Sequence, residues 1–289
     1  MKKIFLFMAA TAMSIAASAT VLWSGSKEVT WGEGNSLQIE AVKFADAQPG
    51  QKIVLTYESA TDGVEFKVMN LNSDHLAGSR DEMWISGQGT LEQFLTQMAV
   101  DSLKLHGLEL VGAHFTATKV ELLDGKALKE GISAWTGFFW ADEWSTMYLY
   151  RDAYCNVDFS TIEAVRFYSE ASENNYILNL RSEWGTEQEP ERGFIADKAM
   201  MTDGEGYAEL LLTDELRAKL HEAGRWIVQF NKETISPFNV TDIVLVPTDS
   251  TTAISNTAME AKSIKIIRNG QILILKGDKT YNALGVEVK

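Results

Sequence analysis

Nucleophilic catalysis needs a Ser, Cys or Thr with a base in reach. The 289-residue chain has one cysteine, Cys155 in YRDAYCNVDF, and four scattered histidines, His75, His106, His114 and His221. The patterns G-x-S-x-G, H-E-x-x-H and G-x-x-x-x-G-K do not occur. No histidine is near Cys155 in sequence, so it is expected to be a buried small hydrophobe, and a lone cysteine forbids an internal disulfide. His106, next to Gly107, is expected to be a helix-end surface residue. Glycoside hydrolysis needs two carboxylates at a set separation across the sugar. Asp142, Glu143, Glu183 and Glu187 are candidates, but none lies in a catalytic block. Asp142 and Glu143 are expected to form a solvated loop. No cofactor is indicated, although oxygen ligands for a structural calcium leave weak sequence traces and one is compatible with the chain.

The aromatic residues carry the stronger pattern. Sugars present C–H faces that stack on flat rings while polar neighbours take the hydroxyls. Three of the eight tryptophans fall in AWTGFFWADEW, at Trp135, Trp140 and Trp144. Trp23 and Trp135 sit in similar tetrapeptides, LWSG and AWTG, and are expected to be structural. Trp226 in RWIVQF is expected to be buried. Trp140 has a counterpart in Trp31, and Trp144 has none. Trp184 lies in RSEWGTEQEPERGF, a polar glycine-containing stretch that reads as a loop, and loops on rigid scaffolds carry function. The expected ligand platform is Trp144 and Trp184 with Arg181 and Asn179. Trp140 is a further candidate, and Trp84 is a weaker equivalent of Trp184 in a loop of the first half.

The elements that must hold these residues recur in order. LWSG at 22–25 resembles AWTG at 134–137, and Met69-Asn70-Leu71 lies over Leu178-Asn179-Leu180. Thr96, Gly107 and Leu110 lie over Thr213, Gly224 and Ile227. FTATKVEL at 115–122 lies over FNVTDIVL at 238–245. The preserved order reads as an internal duplication. Within each copy, runs such as SLQIEAVKF, KIVLTYES, RWIVQF and DIVLVP alternate or run apolar with β-branched and aromatic residues, as strands do. Turn residues separate them about every ten positions, which favours β-sandwiches over βα units. One short helix per copy is expected, with Thr96 or Thr213 as N-cap and Gly107 or Gly224 as the stop.

The sequence therefore predicts an all-β protein: two tandem jelly-roll-like sandwiches at 20–123 and 132–247, then a linker at 248–262 and a small β-hairpin tail at 263–289. DGKALKEG at 124–131 reads as the link between sandwiches. MKKIFLFMAATAMSIAASA reads as a cleaved signal peptide, 1–19, with a basic start, an apolar run and a small-residue cleavage site. The run is shorter than the ~20 apolar residues of a membrane span. Removing Lys2 and Lys3 from 26 basic residues against 40 acidic ones moves the formal net charge from −14 to about −16. Such a surface repels phosphate backbones, so nucleic acid is excluded as a partner.

The repeated block, with its LW-S/T-G opening, N-L strand and F-x-[AV]-T-x-[VI]-x-L close, resembles the jelly-roll modules of exported Bacteroidetes proteins that accompany glycan-degrading enzymes. IIRNGQILILKGDKTYNALGVEVK resembles the C-terminal β tails of such proteins, some of which are sorting signals. The resemblance implies a secreted, periplasmic or cell-surface protein that binds a polysaccharide or oligosaccharide without cleaving it. Its tail would engage cell-surface or secretion machinery. The alternatives are an envelope adhesion protein that binds other proteins, which would show a flat apolar patch, and a glycoside hydrolase of unrecognised type, which would show two facing carboxylates in a cleft.

Overall fold

The computed structural model describes residues 19–31, 34–72, 74–79, 83–142, 145–170, 177–200, 206–231, 238–248, 264–268, 271–276, 279–282 and 287–288. Trp144, Glu143, the linker and most of the leader lie outside them. One compact unit ends at Thr248, and Asp249–Lys289 forms a second. No helix among the described residues is long and apolar enough to cross a membrane.

The first half contains β1 (Thr20–Val29), β2 (Leu37–Ile39), β3 (Lys52–Met69), β4 (Met83–Phe94), α1 (Gln97–His106), β5 (Leu108–Gly112) and β6 (Phe115–Leu123). The long strand β3 serves two partners. Lys52–Glu58 pairs with β6, and Phe66–Met69 pairs with β5, while β4 follows the other side of β3. One arm of this sheet therefore runs β1-β6-β3-β4 and the other β2-β5-β3-β4. The second half has β7 (Ile132–Ala141), β8 (Thr146–Tyr150), β9 (Ile162–Ser169), β10 (Ile177–Arg181), β11 (Phe194–Met200), β12 (Tyr207–Leu211), α2 (Asp214–Glu222), β13 (Arg225–Asn231) and β14 (Phe238–Pro247). Its two sheets run β7-β14-β9-β12 and β8-β13-β10-β11. The order is that of the first half once β9 and β10 stand for the two parts of β3, and β12 and β11 for those of β4. Eight antiparallel segments wound into two four-stranded layers make a jelly-roll-like sandwich. The chain is all-β, with two short helices as connectors.

Alternation explains the packing. Side chains point to opposite faces at successive strand positions, so one face of each sheet is apolar and turned inward. Leu22, Phe66, Leu110 and Phe115 belong to one core, and Trp135, Phe167, Leu180 and Trp226 to another. Each such side chain contributes about 1.5–3 kcal/mol by leaving water.

The repeated motifs mark backbone irregularities. Thr56 pairs with Lys119 and Tyr57 with Ala117, so Thr118 is an extra residue. Thr241 is the extra residue between Val240 and Asp242 in the same way. The threonine of F-x-[AV]-T is thus a β-bulge in both halves, and the bulge moves the inward positions from Ala117 to Val120 and from Val240 to Ile243. Leu22 and Ala134 are extra residues as well. A bulge lets two successive residues face the core, which accounts for burial at Leu22 and Trp23 and at Ala134 and Trp135. The glycine two residues on leaves room for the indole. A Cβ on Gly137 would stand 2.8 Å from the Trp135 ring, and one on Gly25 would stand 3.0 Å from Trp23. Trp135 is 3% exposed and cannot yield. Gly137→Ala is therefore expected to cost about 1–3 kcal/mol in a urea titration, and Gly25→Ala less, since Trp23 is only partly buried.

Thr96 Oγ1 accepts from Ala99 N at 3.1 Å, and Thr213 Oγ1 from Leu216 N at 3.3 Å, as N-caps. Gly107, at φ 82°, ends α1. The second helix departs from expectation and ends at Ala223, with extended backbone. One residue more then separates cap from strand, so the inward pair Leu108 and Leu110 corresponds to Trp226 and Val228, and Ile227 lies on the opposite face of the sheet, where it is also buried. Val68 pairs with Leu110 and Leu180 with Val228. Asn179 thus corresponds to Lys67 rather than Asn70, which instead caps its own loop by accepting from Asn72 N and Asp74 N.

The stretch at 124–131 is an ordered strap. Lys126 Nζ donates to Gly137 O at 3.0 Å and Thr241 O at 2.6 Å and pairs with Asp242 at 3.1 Å. Its backbone N–H donates to Gly50 O. Phe94 meets Phe138 edge-on at 5.6 Å, and His75 stacks on Tyr150 at 3.6 Å. The two halves are thereby joined by specific contacts. In the second unit, β15 (Ile264–Arg268), β16 (Gln271–Lys276), β17 (Lys279–Asn282) and β18 (Glu287–Val288) form an antiparallel meander.

Candidate functional site

The outer face of the β11-β10-β13-β8 sheet collects three of the expected residues. In β10, Leu178 and Leu180 turn inward, which turns Asn179 and Arg181 outward. In β13, Trp226, Val228 and Phe230 turn inward, placing Arg225, Ile227 and Gln229 on the opposite face, where Ile227 is itself fully buried and Arg225 and Gln229 are half-buried. In β8, Met147 and Leu149 turn inward, leaving Thr146, Tyr148 and Tyr150 outside. Register then builds two rows across the sheet. Asn179, Gln229 and Thr146 form a polar row, and Arg181, Ile227 and Tyr148 form the next.

Trp184 arrives from the loop after β10. Its Nε1–H donates to the Tyr148 hydroxyl at 3.1 Å, and the residue remains 40% exposed. The Arg225 guanidinium lies 5.1 Å from the Tyr148 ring centre, within cation–π range. The amides of Asn179 and Gln229 are half-buried and have no side-chain partner among the described residues. An indole, a phenol and two open amides on one rigid sheet offer stacking surface beside donors and acceptors. That is the chemistry of a sugar site.

Arg181 is used differently. Its guanidinium donates to Pro190 O at 3.0 Å and Arg192 O at 3.3 Å, and sits 5.5 Å from the Phe194 ring centre. It ties down the loop that carries Trp184. Arg192 pairs with Glu183 at 2.8 Å in the same loop. Gly193, at φ 67°, lets the chain turn where a Cβ would meet Glu183 at 2.5 Å.

The other tryptophans stand on other elements. Trp84 is not on a loop. It lies on β4 opposite Glu65, facing outward because Met83 and Ile85 face the core. The first-half counterpart of the Trp184 loop is the 70–82 connection, whose His75 is spent on the stack with Tyr150. Trp140, 60% exposed, lies on β7 opposite Asn239. Trp31 is 46% exposed and Trp226 fully buried. Tyr148, Gln229 and Arg225 escaped the sequence reading. The alternation in TMYLY would have placed Tyr148 on a solvent face, but nothing in sequence joins it to Trp184.

Cys155 is exposed rather than buried. Partial desolvation of its sulfur pushes the thiol pKa up, and Asp152 adds to this, which disfavours the thiolate. Burial also raises the Asp152 carboxyl, against the pull of a backbone hydrogen bond and of His75. Asp142 accepts from Ser145. Among the described residues no group of three or more His, Cys, Asp or Glu is arranged to hold a metal ion.

No protein-family profile matches the chain, and no curated protein matches it in sequence. Among solved structures, the chain is similar to Bacteroides ovatus SGBP-B of a mixed-linkage glucan utilization locus, in complex with a mixed-linkage heptasaccharide. Identity is 22% and the TM-score 0.32, over 36% of this chain and 28% of that one. It is also similar to a protein inferred to be secreted, from Parabacteroides distasonis ATCC 8503, at 10% identity and a TM-score of 0.22, over 78% of this chain and 86% of that one. Likenesses of this strength leave function to the geometry of the site.

Proposed function

We propose that this is an exported, non-catalytic carbohydrate-binding protein, built from a duplicated jelly-roll module, that holds a polysaccharide or oligosaccharide on the outer face of the β11-β10-β13-β8 sheet. The observation that carries this reading is the exposed Trp184 indole fixed to Tyr148 beside the open amides of Asn179 and Gln229. The sugar ring stacks on the indole, and Asn179, Gln229 and Thr146 take its hydroxyls. Arg181 is a positioning residue, since it holds the loop and not the ligand. The acidic surface favours a neutral glycan. The tail sheet, β15–β18, is assigned to attachment or sorting outside the cell.

Affinity electrophoresis in gels carrying mixed-linkage β-glucan, xyloglucan or galactomannan tests the reading. At least one of these polymers should retard the wild type. Trp184→Ala should weaken that retardation clearly while its urea midpoint moves by less than the equivalent of about 1 kcal/mol, because the residue is exposed. Unchanged retardation of the variant would remove Trp184 from the site.

A further inference from the structure

We propose that the cleft between β4 and β7 is a second binding site for a neutral, hydroxyl-rich chain; the proposal rests on the glycan-binding reading but uses none of the residues of the first face. The cleft measures about 270 Å³ and is lined by Trp84, Thr90, Glu92, Gln93, Thr136 and Phe138, among others. Its walls come from both halves of the chain. Trp84 is 61% exposed and Phe138 52%, so two large rings stand open to water at one place. Thr90 and Glu92, on the same strand as Trp84, are exposed too.

The charges at the cleft select the ligand. Lys52 is paired with Glu92 at 2.5 Å. Lys126 lies 5.0 Å from the Phe138 ring centre but is committed to Asp242 and two carbonyls. Neither cation is open to an anionic ligand, and a chain of net charge −14 repels anions at long range. Among the described residues the cleft offers aromatic surface beside polar side chains and no available cation, which fits neutral sugar rings. A cleft just below the roughly 300–1,000 Å³ of small-molecule sites takes a short stretch of a chain and not a folded domain. The Lys126 strap and the Phe94–Phe138 contact hold the walls in place, so binding need not wait for the halves to close.

The test titrates mixed-linkage β-glucan, xyloglucan and galactomannan into wild type, Trp184→Ala, Trp84→Ala and the double variant, following tryptophan emission and calorimetric heat. Trp84→Phe is the conservative control. Residual binding should survive Trp184→Ala and weaken about tenfold or more when Trp84→Ala is added, with Trp84→Phe retaining most of it. If Trp184→Ala alone abolishes all binding, the cleft proposal fails and the first site stands. If only Trp84→Ala matters, the cleft stands and the first site fails. If no polymer binds the wild type, both fail. If the wild type sediments as a dimer that Trp84→Ala converts to monomer, the cleft is an interface between copies and the glycan proposal is overturned.

Discussion

Trp226→Ala should destabilise the second half of the chain by about 3–5 kcal/mol, the range for removing a fully buried aromatic side chain. Trp226 is stacked on Tyr154 with ring centres 4.3 Å apart and meets Phe159 edge-on at 6.2 Å. Its Nε1–H donates to Leu220 O at 3.1 Å, at the end of α2. Alanine leaves a cavity among these rings and deprives that helix-terminal carbonyl of its donor. The adjacent Tyr154 hydroxyl donates to Ala223 O at 2.9 Å, and burial holds the phenol above the usual tyrosine range, as a neutral donor. Trp226→Phe should recover part of the loss by restoring the stack without the N–H. Because β13 carries Trp226 inside and Gln229 outside, glycan retention should fall together with stability, unlike in Trp184→Ala. Urea unfolding followed by circular dichroism checks this; a loss below about 1 kcal/mol would contradict the packing.

Asp242→Ala should cost about 2–3 kcal/mol. Asp242 is 1% exposed, accepts from Thr136 Oγ1 at 2.8 Å and pairs with Lys126. Burial lowers the Lys126 pKa, and the Asp242 carboxylate is the main force opposing that shift. Removing the carboxylate strands a half-buried ammonium. For fully buried pairs the penalty of breaking one partner is about 3–5 kcal/mol. Lys126 keeps 22% of its side chain exposed, which places the expectation lower. Lys126→Met strands the carboxylate instead and should also destabilise. The pair Lys126→Met with Asp242→Leu should recover most of the loss, since apolar groups of similar volume can replace a buried ion pair. A double-mutant cycle by thermal unfolding measures the coupling. Additive losses in the double variant would show that the strap is held by its carbonyl contacts alone.

Much of the fold was legible because it rests on short-range chemistry. Thr96 and Thr213 announced their helices through a local hydroxyl-to-amide bond. LWSG and AWTG were matched because each encodes an indole lying over a glycine two residues later. The F-x-[AV]-T pattern recurred because a bulge shifts the inward phase by one residue in both halves. The strand pattern of RWIVQF implies a buried Trp226 and the LWSG/AWTG repeat a structural Trp135, and both lie in the core. Local pattern was weaker at ends and registers: α2 stops at Ala223, and one inserted residue turned Ile227 to the opposite face of its sheet where the match to Leu110 had implied the face of the core. The equivalence with Trp184 implies a loop at Trp84, although Met83 and Ile85 already alternate around it. Cys155 was assigned to the core on the general behaviour of free cysteine, which says nothing about its particular position.

By itself the sequence determined the class of fold, the recurrence of its strand motifs and that Trp135 and Trp226 plug its second core, since these depend on alternation, turn residues and spacings of two or three positions. Only the tertiary structure decided the company those residues keep. Trp184 meets Tyr148, 36 positions away in sequence, because β8, β13 and β10 are laid side by side by pairings between distant strands. The 70–82 connection is spent against Tyr150, so the equivalent loops of the two halves have different fates. Contacts of this kind are set by register and by the docking of one half on the other, which no local pattern records.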